Sequence, residues 1–172
     1  MLEWPTILEA IGLAQTGDRT TGQQALLTCW EQTAPAQHAF RCVLAHYLAD
    51  VQTCLDDEVA WDTTALEEYA HLEGDGLAAV GIPDAAGLAP SLHLNLGDGY
   101  LRQGRLADAT EQTRAGLASV DVLADDGYGR MVREGLTRLA ARVDATESPP
   151  ADEFRRRTRS QFTTAETTSS GE

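Results

Sequence analysis

The sequence predicts an all-α domain built from antiparallel helix hairpins. Apolar residues recur at three- and four-residue spacing in seven successive blocks. Glycine or proline separates most of the blocks. No block shows the strict apolar–polar alternation of a half-buried strand.

Residues 2–15 form the first predicted helix, with Trp4, Ile7, Leu8, Ile11 and Ala14 at helical spacing. Pro5 fits a first turn, where its missing N–H costs nothing. Gly17-Asp18 ends the pattern. The second helix covers 20–33, with Ala25, Leu26, Cys29 and Trp30 on one side, and Pro35 stops it. The third runs from about Gln37 to Cys54 on a stripe of Phe40, Val43, Leu44, Tyr47, Leu48 and Val51. The fourth spans about Asp57 to Leu72, with Trp61, Ala65, Leu66, Tyr69 and Leu72 inward. Asp56, Asp57 and Glu58 suit the positive end of its dipole. Gly74 to Pro83 is a break with room for a short helical piece, and Asp84 caps the next segment. A fifth helix covers about 85–103, a sixth 106–119 and a seventh about 125–144.

Residues 1–145 are thus one helical domain. From 146 to 172 the composition turns to Thr, Ser, Glu and Pro with only two large apolar residues, Phe154 and Phe162. Such a segment buries too little to order itself, so it reads as a disordered tail.

The 172 residues carry 13 Arg, no Lys, and 27 Asp or Glu, a net charge of −14. That balance disfavours non-specific nucleic-acid binding, which needs cations against phosphates. It favours partners of basic character, or simply solubility. No stretch is apolar enough to span a membrane, and residues 1–15 lack the basic start of a secretory signal. Three cysteines, Cys29, Cys42 and Cys54, make no disulfide framework, which points to a reducing cytoplasm. An all-Arg, Ala- and Gly-rich composition is that of a GC-rich, bacterial type of coding sequence. The charge is uneven. Between Arg41 and Arg102 there is no cation, while Arg155, Arg156, Arg157 and Arg159 cluster in the tail.

Period searching adds a repeat. His93-Leu94-Asn95-Leu96-Gly97-Asp98-Gly99-Tyr100, followed by Gly104, Leu106 and Ala109, resembles the tetratricopeptide repeat. Leu96, Gly97, Tyr100 and Ala109 stand at that family's signature places. Departures are His93 for Trp, Thr113 for a large aromatic, Gly116 for Ala and Asp121 for Pro. Trp4-Ile7-Leu8-Ile11 and Phe40-Val43-Leu44-Tyr47 echo the first-helix pattern, with Leu8 and Leu44 where the small residue belongs. Trp4 and Phe40 are 36 residues apart, near the family period of about 34. Phe40 and His93 are 53 apart, so the middle unit carries an insertion.

The resemblance implies a right-handed α-α superhelix of about three repeats plus a C-terminal capping helix. It implies a non-enzymatic scaffold that binds a protein or peptide on a concave, acidic face. Carried over, the contact residues are Ser91, Leu94, Asn95, Asp98, Leu101 and Arg102. The family often uses Asn at the Asn95 position to bond a peptide backbone. Asn95 and His93 can equally satisfy local helix contacts. A short array can also bury its face in a homo-oligomer, or have it filled by the insertion or the last helix.

Two further constellations carry possible chemistry. His38, Cys42, His46, Asp50 and Cys54 follow at four-residue intervals, and neighbours in that series can chelate a metal. The stripe drifts about 40° per step, so one ion needs another ligand from His71, His93 or Asp62. The plainer reading makes Cys42 and Cys54 packing residues. His46, Asp50, Asp62 and His93 form a candidate polar cluster between helices, either an acid–base unit or a network that fixes register. Gly74-Asp75-Gly76 lacks the lysine of a phosphate loop, and no hydrolase elbow or His-Glu-x-x-His pair occurs. The expectation is a non-enzyme without cofactor. The arginine run is expected to dock on an acidic surface, its own or a neighbour's, or to have no role.

Overall fold

The computed structural model describes residues 2–72 and 74–147. These residues form seven α-helices and no strand: α1 (Trp4–Thr16), α2 (Arg19–Glu31), α3 (His38–Asp50), α4 (Leu55–Tyr69), α5 (Ala89–Arg102), α6 (Leu106–Ala118) and α7 (Gly127–Glu147). The fold is all-α. No helix among the described residues is long and apolar enough to cross a membrane. The expected arginine-rich tail lies outside the described residues.

Hairpins α1–α2, α3–α4 and α5–α6 form the closest pairings, and α7 packs on both α5 and α6. Successive hairpins stack in chain order, α2 against α3 and α4 against α5. The helix starts reflect local chemistry. Asp18 accepts a hydrogen bond from the Thr21 amide at 2.9 Å, satisfying an orphan donor of α2. Asp126 does the same for the Gly129 amide at 2.8 Å in α7. Asp56, Asp57 and Glu58 occupy the first turn of α4, as expected from the dipole.

Several boundaries differ from the sequence expectation, these three among them. α3 stops at Asp50, not Cys54, because the Gln52 side-chain amide donates to the Leu48 carbonyl at 2.7 Å and Cys54 turns extended ahead of α4. The helix expected from 85 opens as a 3₁₀ turn, Ala85–Leu88, and becomes α-helical only at Ala89. Pro90 explains this: it has no N–H to donate and is tolerated only in the first turn. α7 runs on to Glu147, whose carboxylate accepts from the Thr110 hydroxyl at 3.0 Å.

The largest core joins α1 to α4. Ile7, Leu26, Leu44 and Leu48 are fully buried in it. Edge-to-face pairs tie successive hairpins, Trp4 to Phe40 at 4.7 Å and Trp30 to Trp61 at 5.0 Å. The insertion between α4 and α5 is not a loose loop. The Ala85 amide bonds the Gly74 carbonyl at 2.9 Å and draws its ends together. Leu77, fully buried, plugs this insertion into the α1–α4 core. Gly81, at φ +82°, makes the turn that a residue with a Cβ would adopt only under strain.

Candidate functional site

The six residues expected to line a concave face on α5 are largely occupied. Ser91 is buried and donates to the Leu88 carbonyl at 2.9 Å. Leu94 lies against α7, where a Cβ on Gly135 would sit 2.6 Å from its Cδ2. Leu101 is half-buried beside the cluster of Ala109, Leu139 and Val143. Arg102 clasps Glu58 of α4 with both guanidinium ends, at 2.6 and 3.1 Å, and reaches Asp98 at 3.6 Å. Asp98 is bonded in turn by Arg142 of α7. Asn95 is half-buried beside Asp62, whose pKa it lowers. This row holds α4, α5 and α7 together. Of the expected contact row, Leu94 lies against α7, Leu101 is half-buried, and Ser91, Asp98 and Arg102 bond within the chain, with the Asp98 and Arg102 side chains still 33 and 41 % exposed.

The predicted polar cluster is also only partly assembled. His93 does not join it. Its Nδ1 lies 2.8 Å from the Gln112 Oε1 of α6, so it serves the α5–α6 hairpin. Asp62, 2 % exposed, sits behind α3 with one carboxyl oxygen lacking a hydrogen-bond partner. Burial, then the Asp50 and Glu58 carboxylates, push its pKa up to about 8, against weaker pulls from Asn95 and Arg102. Asp50 is exposed at the end of α3. His46 is held below its ordinary pKa by burial, with Asp50 opposing. Its Nδ1 is buried without a hydrogen-bond partner.

The metal stripe does not converge. His38 Nδ1 lies 2.7 Å from Glu68, Cys42 is fully buried with its thiol pushed up to about 12, and Cys54 is exposed. Among the described residues no three His, Cys, Asp or Glu side chains are placed to share an ion.

What remains open is a cleft that the sequence did not mark. Leu8 and Ile11 of α1 and Val43, His46 and Tyr47 of α3 form one wall. Val80 to Ile82 of the insertion, with Tyr128 at the start of α7, form the other, around a volume of about 340 Å³. Across Ile82 it continues into a second hollow of about 500 Å³ between Pro83-Asp84 and Val122-Ala124. The lining is mostly apolar, with carboxylates at Asp84 and Asp126. Leu8 and Tyr128 remain 43 % exposed, so the wall is unfinished apolar surface rather than core. His46 Nδ1 is the buried polar atom on this wall that the fold leaves unbonded. Sequence reasoning found His46 but not Tyr128, Ile82 or Leu8. The available signal was Leu8 standing where a close-packed helix pair needs a small residue.

A larger, shallower hollow of about 590 Å³ lies along the outer seam of α1 and α2. Its Thr21 and Thr28 hydroxyls are already spent on Asp18 and on the Gln24 carbonyl. It carries no comparable unbonded group.

Fold and cleft together define an all-α protein of stacked helical hairpins with one partly closed, acid-rimmed apolar cleft. Comparison of the chain with protein-family models, curated proteins and solved structures gives no match.

Proposed function

We propose that the chain is a non-enzymatic binding module, a short tetratricopeptide-like array that takes a peptide or protein segment of basic character. The reading places it in the cytoplasm, in keeping with its free cysteines. The contact surface is the cleft between α1, α3, the insertion and the start of α7, in place of the α5 row. The observation that carries this is the unbonded His46 Nδ1 on an apolar wall below a carboxylate rim. An apolar side chain fills such a cleft, a peptide N–H or guanidinium satisfies the imidazole, and cations meet Asp84 and Asp126.

The test is titration of the full chain with fluorescent peptides that pair an aromatic residue with arginines, against acidic peptides of equal length. Binding of the basic set alone, weakened at least tenfold by Tyr128→Ala and by raised salt, is expected. Equal binding of both sets, or indifference to Tyr128, sinks the reading.

A second reading has its own observation. Val122, Tyr128 and Met131 are 49, 43 and 57 % exposed around the α6–α7 turn. Two copies that bury this patch form a homo-oligomer. A mass that doubles with concentration and reverts in Met131→Glu supports it.

A further inference from the structure

We propose that the cleft's resident occupant is the chain's own segment 154–162, Phe-Arg-Arg-Arg-Thr-Arg-Ser-Gln-Phe, with Phe162 as the apolar anchor. The inference rests on the reading of the cleft as a site for basic segments and names the segment.

Charge complementarity selects it. Residues 1–146 carry 9 Arg against 22 acids, and the cleft is rimmed by Asp84 and Asp126 with Asp125 beside them. The nearby cations compete little. Arg133 is committed to the Leu123 and Ala124 carbonyls, and Arg130 lies 3.9 Å from Asp125. Four arginines in five residues between two phenylalanines occur in this segment and nowhere else in the sequence.

Reach selects the anchor. Tyr128 on the cleft wall and Glu147 are separated by the length of α7, about 29 Å at 1.5 Å per residue. Seven residues from Glu147 to Phe154 extend at most about 25 Å, so Phe154 approaches the cleft only with the link fully stretched along α7. Fifteen residues to Phe162 extend about 50 Å, which suffices even for an indirect path. Within one molecule the second phenylalanine reaches with slack, and the arginines before it pass the carboxylate rim on the way. His46 Nδ1 then accepts a hydrogen bond from a backbone N–H or a guanidinium of the docked segment. The tail is a competitor that any outside partner must displace.

The experiment uses the full chain with Thr164→Cys carrying a nitroxide. Cys54→Ser removes the exposed thiol, while Cys29 and Cys42 are buried. Amide signals of Val80, Ile82 and Tyr128 are expected to broaden at least twofold relative to the reduced label. The broadening persists on tenfold dilution, fades in high salt, is lost in Phe162→Ser and survives in Phe154→Ser. Neither phenylalanine belongs to the described core, so loss does not report unfolding. Unbroadened cleft signals overturn the proposal, as does release by Phe154→Ser instead of Phe162→Ser. Broadening that vanishes on dilution overturns the intramolecular form, because the occupant is then a second copy's tail. Titrating Phe162→Ser with an unrelated tryptophan- and arginine-containing peptide separates the two readings. If it binds although the tail does not, the cleft keeps its function and loses this occupant. If neither binds, both readings fall.

Discussion

The first hairpin meets the second through large side chains; the third meets α4 and α7 through glycines. Trp4 against Phe40 and Trp30 against Trp61 set the contact of the first hairpin with the second. Around α5 the spacing is set by absent side chains. A Cβ on Gly99 would come within 2.7 Å of Val59 on α4, and one on Gly97 within 2.9 Å of Leu139 on α7. One on Gly116 would meet Leu136 at 2.5 Å. The consequence is which face stays open. Glycine contacts bring α7 down onto α5 and seal that face. Bulky contacts between α1 and α3 leave a seam that the insertion only partly covers, and the cleft is that remainder. A helical array therefore keeps a face open where its neighbouring helices are held by bulk and closes it where they can nearly touch.

The sharpest break of this comparison is deletion in the two cores. Leu44→Ala, in the shared core of α1 to α4, is expected to cost about 4 kcal/mol in urea unfolding. Leu139→Ala, in the small cluster of α6 and α7, is expected to cost about half as much, because fewer neighbours hold the cavity open. Equal costs would mean that the two regions are packed alike.

Next come the glycines. Gly22→Ala places a Cβ 2.4 Å from the Ala14 Cα, a backbone atom that cannot step aside. A loss of about 3 kcal/mol is expected. Gly116→Ala meets the end of Leu136 at 2.5 Å and the His93 Cβ at 3.2 Å, and about 1 kcal/mol of gained helix propensity offsets part of the clash. If thermal melting ranks the two in reverse order, the contact between α1 and α2 is looser than these distances imply.

Asp62 tests the boundary between the regions. The unfolded chain releases this proton near 3.8, whereas the folded chain holds it to about 8. The folded state thus binds more protons through that window, and stability from this group falls as pH rises from 3.8 to about 8. His46 has the opposite sign: its pKa is lowered from 6.5, so the unfolded chain takes up its proton below that value and acid destabilises. Between pH 6.5 and 8 the Asp62 slope stands alone of the two, and the unfolding constant should rise by about fifteenfold. Asp62→Asn should flatten that slope in denaturant titrations at several pH values. An unchanged slope would place the buried titration elsewhere.

The smallest effect belongs to the ion pairs. Arg102, 41 % exposed, joins Glu58 to Asp98. Arg102→Ala is expected to cost under about 1 kcal/mol, less at high salt. A loss of several kcal/mol would make the pair, rather than Gly99 against Val59, what holds α5 to α4.

Much of the fold is legible in the residue order. Helix count, all-α class and most turns come from apolar spacing and from Gly and Pro positions, as at Gly104, whose φ of +75° makes the α5–α6 turn. The start of α5 is misplaced by that reading because Pro90 acts on the residues before it. At the site, sequence reasoning reaches His46 and Asp62, since unlike residues on apolar stripes stand out. It misassigns His93, because facing Gln112 or facing Asp62 is decided by the rotation of α5 against α6. It places a contact row on Ser91, Leu94, Asn95, Asp98, Leu101 and Arg102, where the structure packs Leu94 against α7 and leaves Leu101 half-buried.

The sequence by itself determined the local terms: which segments coil, where they stop, and an acidic body with an arginine-rich end. Those depend on neighbours a few residues apart. Tertiary structure alone decided which face stayed open, because that depends on how closely helices approach. That approach is set by pairs such as Gly135 with Leu94, 41 residues apart, and by Leu77 of the insertion locking into a core built from α1 to α4.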